Sequence, residues 1–143
     1  PGHHHQIAHS LENEDLTLYR RFGYFTSAFA EGWALYSEIL ALEAGLAEDP
    51  YDELGILQSE LFRAVRLVVD TGMHYKRWTR EEAMKYMKTK TGMSDTEVRV
   101  EIERYIVWPG QALSYKVGMI KILELREKAM SELGDKFNIK DFH

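Results

Sequence analysis

Apolar residues recur at intervals of three and four along most of this chain, and the only prolines that could interrupt the pattern are Pro1, Pro50 and Pro109. An Ala-, Leu- and Glu-rich stretch from Phe29 through Ala47 predicts a helix, with Gly45 and then Asp49-Pro50 as its stop signal. A second helical stretch runs from Tyr51 to about Tyr75, too long and continuous for a strand. Thr79-Arg80-Glu81-Glu82 and Ser94-Asp95-Thr96-Glu97 both fit the capping box, in which a hydroxyl and a carboxylate three residues on satisfy orphan amides. Two shorter helices should start there, separated at Thr91-Gly92. Pro109 fits the first turn of a last long helix, and Gly134 stands beside Leu133 as its terminator. No stretch alternates apolar and polar residues for long enough to read as a strand. No repeat, low-complexity tract or linker divides the chain. The pattern predicts one all-α domain over residues 1–143, a bundle of six or seven helices.

Composition supports this and narrows the function. A hydrophobic fraction of 45% supplies a packed interior and excludes a disordered chain. A net charge of −5 with interspersed signs lacks the basic face that nucleic-acid binding requires. The absence of cysteine removes disulfides and thiolate metal ligands, and it suits cytoplasm and periplasm alike. No apolar run approaches the roughly 20 residues needed to span a bilayer. A chain that opens on Pro1-Gly2-His3 without an initiating methionine, and without a charged-then-apolar leader, reads as a piece of a longer protein.

Polar side chains set into apolar helices are the candidates for chemistry. In Leu61-Phe62-Arg63-Ala64-Val65-Arg66-Leu67-Val68-Val69-Asp70-Thr71-Gly72-Met73-His74, Arg66, Asp70 and His74 are spaced by four and share one stripe, with Arg63 one turn before Arg66. Asp70 between Arg66 and His74 could hold the imidazole in one tautomer, as an oriented catalytic histidine requires. The alternative is an internal ion-pair ladder that only fixes helix packing.

Four of the six histidines fall within the first nine residues, and Glu31-Gly32-Trp33-Ala34 follows a short way on. Imidazole and carboxylate are the usual ligands of a catalytic zinc, which keeps three protein ligands and an open position. Glu31 sits between Ala30 and Gly32, small neighbours that leave room for a metal, and Glu38 lies two turns further along the same face. Two plainer readings stand beside this one. Glu31 could be a solvated helical glutamate, and Pro1-Gly2-His3-His4-His5 the remains of a purification tag.

Several segments occur in order: Pro1-Gly2-His3-His4-His5-Gln6, Arg20-Arg21-Phe22-Gly23-Tyr24, Glu31 through Glu38, Arg63 through His74, Pro109-Gly110-Gln111-Ala112-Leu113-Ser114-Tyr115, and the closing Leu133-Gly134-Asp135-Lys136-Phe137 and Asp141-Phe142-His143. Together they resemble the C-terminal part of the bacterial family known as domain of unknown function 885. The resemblance covers essentially the whole chain, which would be roughly the last quarter of a family member. It implies a mainly helical protein related to the gluzincin metallopeptidases. There a His-Glu pair and a second histidine on one helix, with a glutamate from a following helix, surround zinc. By this resemblance His3 or His4 is the remaining histidine ligand and Glu31 the downstream carboxylate. The His-Glu pair that carries the general base would lie before Pro1. His5 stands where the family usually has leucine and receives no role.

The resemblance further implies that His74, oriented by Asp70, and Tyr115 act as donors to the oxyanion formed when water attacks an amide. Arg66 would pair with Asp70 or meet a substrate carboxylate, and Gln111 could donate to substrate backbone. Gly118, one turn after Ser114, suggests close helix contact. The expected partners are a peptide or small amide substrate and the remainder of the parent chain. Without the upstream His-Glu pair the chain should hold zinc weakly or not at all and lack peptidase activity. It should also bare apolar surface that favours self-association. A non-catalytic peptide-binding or interaction module on the same fold is the competing reading.

Overall fold

A computed structural model describes residues 2–23 and 26–143. Of the motif residues named above, Pro1 and Tyr24 lie outside the described residues. The α-helices are α1 (Gly2–Glu12), α2 (Ser27–Glu43), α3 (Pro50–His74), α4 (Arg80–Thr91), α5 (Asp95–Val107), α6 (Ser114–Leu133) and α7 (Ile139–Phe142). A π-helical turn occupies Tyr19–Gly23, and 3-10 turns occupy Gln111–Leu113 and Gly134–Lys136. No strand occurs among the described residues, so the all-α expectation holds. None of the described helices is long and apolar enough to cross a membrane.

Local chemistry accounts for the boundaries. Thr79 with Glu82, and Ser94 with Glu97, form complete capping boxes at the starts of α4 and α5. Gly92 ends α4 at φ 70°, a left-handed conformation that a Cβ would strain. Two expectations need correction. Asp49-Pro50 does not merely stop the preceding helix, which ends at Glu43; it starts α3, where the Asp49 carboxylate accepts from the amides of Tyr51 and Asp52 and Pro50 fills the first-turn position that has no use for an N–H. Pro109 does not open the last helix. It stands in a turn with Gly110 at φ 81°, and α6 begins only at Ser114 after the 3-10 turn.

The helices bury two apolar clusters. Val65 and Val69 of α3 meet Ala83 and Met87 of α4, Val98, Ile102 and Tyr105 of α5, and Ala112 of the 3-10 turn. Leu35 and Tyr36 of α2 meet Met119 of α6 in the second cluster. The most extensive helix pairing is α2 with α6, and it depends on two glycines. A Cβ added to Gly32 would lie 2.4 Å from the Gly118 backbone, and one added to Gly118 would lie 1.9 Å from the Ala28 carbonyl oxygen. The close contact expected at Gly118 is therefore present, with Gly32 as its counterpart.

Candidate functional site

The N-terminal histidines sit on α1, which is fastened to α2 and to the π-helical turn. Buried Gln6 donates from Nε2 to the Phe29 carbonyl oxygen at 3.2 Å. Arg21, from the π-helical turn, donates from Nε to the Leu11 carbonyl oxygen at 3.0 Å, placing a cation at the negative end of the α1 dipole. Gly2 packs against Ser37, where an added Cβ would come within 3.0 Å of the hydroxyl oxygen. This docking sets His3 Nε2 3.5 Å from Glu31 Oε2. His4, by contrast, makes an edge contact with the His5 ring.

The His3–Glu31 spacing suits two ligands of one metal. With bonds of about 2.0–2.1 Å and tetrahedral angles, donor atoms around zinc lie roughly 3.3–3.4 Å apart. Half-exposed His3 and three-quarters-buried Glu31 thus fit as a pair of donors. No group of three or more candidate ligands that could hold a metal is formed among the described residues. The small neighbours of Glu31 also serve packing: Ala30 is buried, and Gly32 lies against Gly118, which brings α2 close onto α6 beside Glu31.

The Arg66, Asp70, His74 stripe resolves into three separate sets of contacts. Both Asp70 carboxylate oxygens accept from the Gly110 amide, at 3.2 and 3.1 Å. This bond holds the left-handed Gly110 turn, and burial pushes the carboxyl above its usual range despite the Gly110 amide and the nearby charges of His74 and Arg66. His74 Nε2 donates to the Tyr105 carbonyl oxygen at 2.9 Å, so the imidazole is oriented by α5 backbone where Asp70 had been expected to do so. Arg66 is 2% exposed and forms no ion pair among the described residues. Its Nη2 donates to Gln111 Oε1 at 3.4 Å, and its Nε has no partner. Gln111 thus serves as an acceptor for arginine.

Tyr115 completes this second locus. The Arg66 guanidinium lies 4.3 Å from its ring centroid and the Arg63 guanidinium 4.8 Å, while Phe62 and Tyr105 flank them. Arg63 also has a buried Nε without a partner, and Glu38 has a buried, unpartnered Oε2. Sequence reasoning gave Arg63 and Glu38 no role. Two arginines three apart within the otherwise apolar stretch from Leu61 to Val69 were the available signal, since like charges on one face are unfavourable without a compensating group. His143 was also missed. Its ring stands 5.4 Å from Trp33, edge to face, and its Nε2 is 2.9 Å from the Tyr36 hydroxyl, which returns the C-terminus to α2.

The crystal structure of the "putative lipoprotein" from Colwellia psychrerythraea is 59% identical and superimposes with a TM-score of 0.92 over 100% of this chain. The chain spans 24% of the length of that protein. No curated protein matches it significantly. A family of bacterial proteins of unknown function, DUF885, matches residues 1–143 from end to end, and the chain belongs to that family.

Proposed function

We propose that this chain is part of a zinc-dependent peptidase of the gluzincin kind, contributing two metal ligands and the substrate-facing donors but not the general base. The observation that carries the reading is the approach of His3 Nε2 to Glu31 Oε2 at 3.5 Å, from two helices locked together by Gln6 and Gly2. His3 and Glu31 would hold the zinc, which when bound supplies a Lewis acid and lowers the pKa of water. Donors to the amide oxygen would come from His74 and Tyr115. Because the Nε2–H of His74 is spent on the Tyr105 carbonyl, Nδ1 is the nitrogen left to it, and Nδ1 donates only in the imidazolium form. Asp70 acts at one remove, by fixing the Gly110 turn from which Gln111 and Tyr115 follow. On its own the chain would hold zinc weakly and turn over no peptide, because metal affinity requires a complete ligand set.

A second reading has support of its own. Asp70 and His74 are both engaged in bonds that fix helix packing, as a peptide-binding module without turnover would also require. The two separate on one experiment. A longer version of the protein that restores the upstream His-Glu pair should contain one zinc per chain, lose it in Glu31→Gln, and cleave peptides. A full-length protein free of stoichiometric metal and indifferent to Glu31→Gln leaves only the binding reading.

A further inference from the structure

Arg66 is buried and Arg63 partly buried, and neither lies within ion-pair distance of a carboxylate among the described residues. The acids around them are largely committed elsewhere. Asp70 is bound to Gly110, and Glu101 is ion-paired with Arg104 and accepts from the Tyr105 hydroxyl. Glu38 is the remaining acid near Arg63, and one of its oxygens is buried without a partner. Burial holds the Arg63 pKa below its usual value, and repulsion by the adjacent Arg66 guanidinium lowers it further. Such a pair is stabilised by an anion placed between its members.

The surroundings select the kind of anion. Both guanidiniums lie near the Tyr115 and Phe62 rings, and each has a buried Nε–H without a partner; the N–H fork of a guanidinium matches a planar carboxylate two-pronged. Burial of Arg66 at 2% exposure favours a chain end over a carboxylate in the middle of a peptide. Position agrees. Glu38, beside Arg63, lies seven residues after Glu31 on one face of α2, about 10 Å along the helix, which an extended peptide covers with about three residues.

We propose that Arg63 and Arg66, framed by Tyr115 and Gln111, form a subsite for the C-terminal carboxylate of a peptide whose upstream residues run along α2 toward Glu31. The inference rests on the reading of this chain as peptide-handling and names the end of the peptide that it holds. The experiment is an NMR titration of the 15N-labelled chain with N-acetyl-trialanine, its C-terminal amide, and amide-capped N-acetyl-Ala-Glu-Ala. It follows the arginine Nε–Hε signals, assigned with Arg63→Lys and Arg66→Lys after circular dichroism has shown that both variants fold. The free acid should move both signals and bind at least tenfold more tightly than either amide-capped peptide. Equal response to acid and amide, response to the internal glutamate as strong as to the free terminus, or no response at all overturns the proposal. So does a shift of the Arg63 signal in Glu38→Gln without peptide, combined with indifference to peptide in the native chain, because Glu38 would then be the resident partner. The titration uses no metal, so it can succeed even if the zinc assay on the longer protein fails.

Discussion

Replacing Gly118 by alanine adds one methyl group at the place where α6 crosses α2. The new Cβ would lie 1.9 Å from the Ala28 carbonyl oxygen, whereas ordinary contact begins near 3.4 Å, so the helices must part by roughly 1.5 Å. The obstacle is backbone and cannot rotate away, and Leu35, Tyr36 and Met119 lose contact as the gap opens. Overpacking of this kind costs about 1–3 kcal/mol, and a clash with rigid backbone belongs at the upper end. Against it stands the better helix propensity of alanine, a gain of about 1 kcal/mol. The net loss is about 2 kcal/mol, a fall in Tm of about 4–8 °C for a chain of this size. Gly55→Ala is the control: it sits within α3 with nothing inside 4 Å of its added Cβ. There the propensity term acts alone and should raise stability by about 0.5–1 kcal/mol. Thermal unfolding followed by circular dichroism reads both. If Gly118→Ala melts at or above the native temperature, the close crossing does not position α2, and the account of how Glu31 is held fails with it.

Other outcomes follow from the same structure. Thr79→Ala and Ser94→Ala should each cost about 1 kcal/mol in denaturant unfolding, since each hydroxyl accepts from an amide and pairs with a capping glutamate; no change in midpoint would remove the capping boxes as the reason α4 and α5 start where they do. Asp70 has a folded-state pKa raised by burial, so its contribution to stability is fully present below the ordinary value of 3.8 and is lost as pH rises through the raised one. Asp70→Asn stays neutral and keeps an acceptor for Gly110, so its denaturation midpoint should gain on the native protein as pH rises; midpoints that run parallel across pH contradict the burial argument. Leu54, Leu57 and Leu61 form an exposed stripe on α3, and we propose that it drives self-association at high concentration, which Leu57→Glu should reverse in sedimentation experiments. A native chain that stays monomeric throughout counts against that proposal.

The helices and most of their ends follow from residues close together along the chain. A capping box is a local motif, and a glycine in the left-handed region needs only its own backbone, so α4, α5 and the stop at Gly92 could be read from neighbouring residues alone. Pro109 misled because proline suits either a first helical turn or the turn before one. The choice was made 39 residues away, by the Asp70 carboxylate on the Gly110 amide. The stripe of Arg66, Asp70 and His74 was visible as a spacing, but the partners of its members were not. Helical periodicity says which side chains share a face and nothing about what lies opposite. Only the packed structure joined His74 to the Tyr105 carbonyl, laid Arg63 and Arg66 over Tyr115, and brought His3 rather than His4 to Glu31. Each of these pairings joins two different helices and so depends on how whole helices cross, as the α2–α6 crossing depends on Gly32 and Gly118 letting backbone touch backbone.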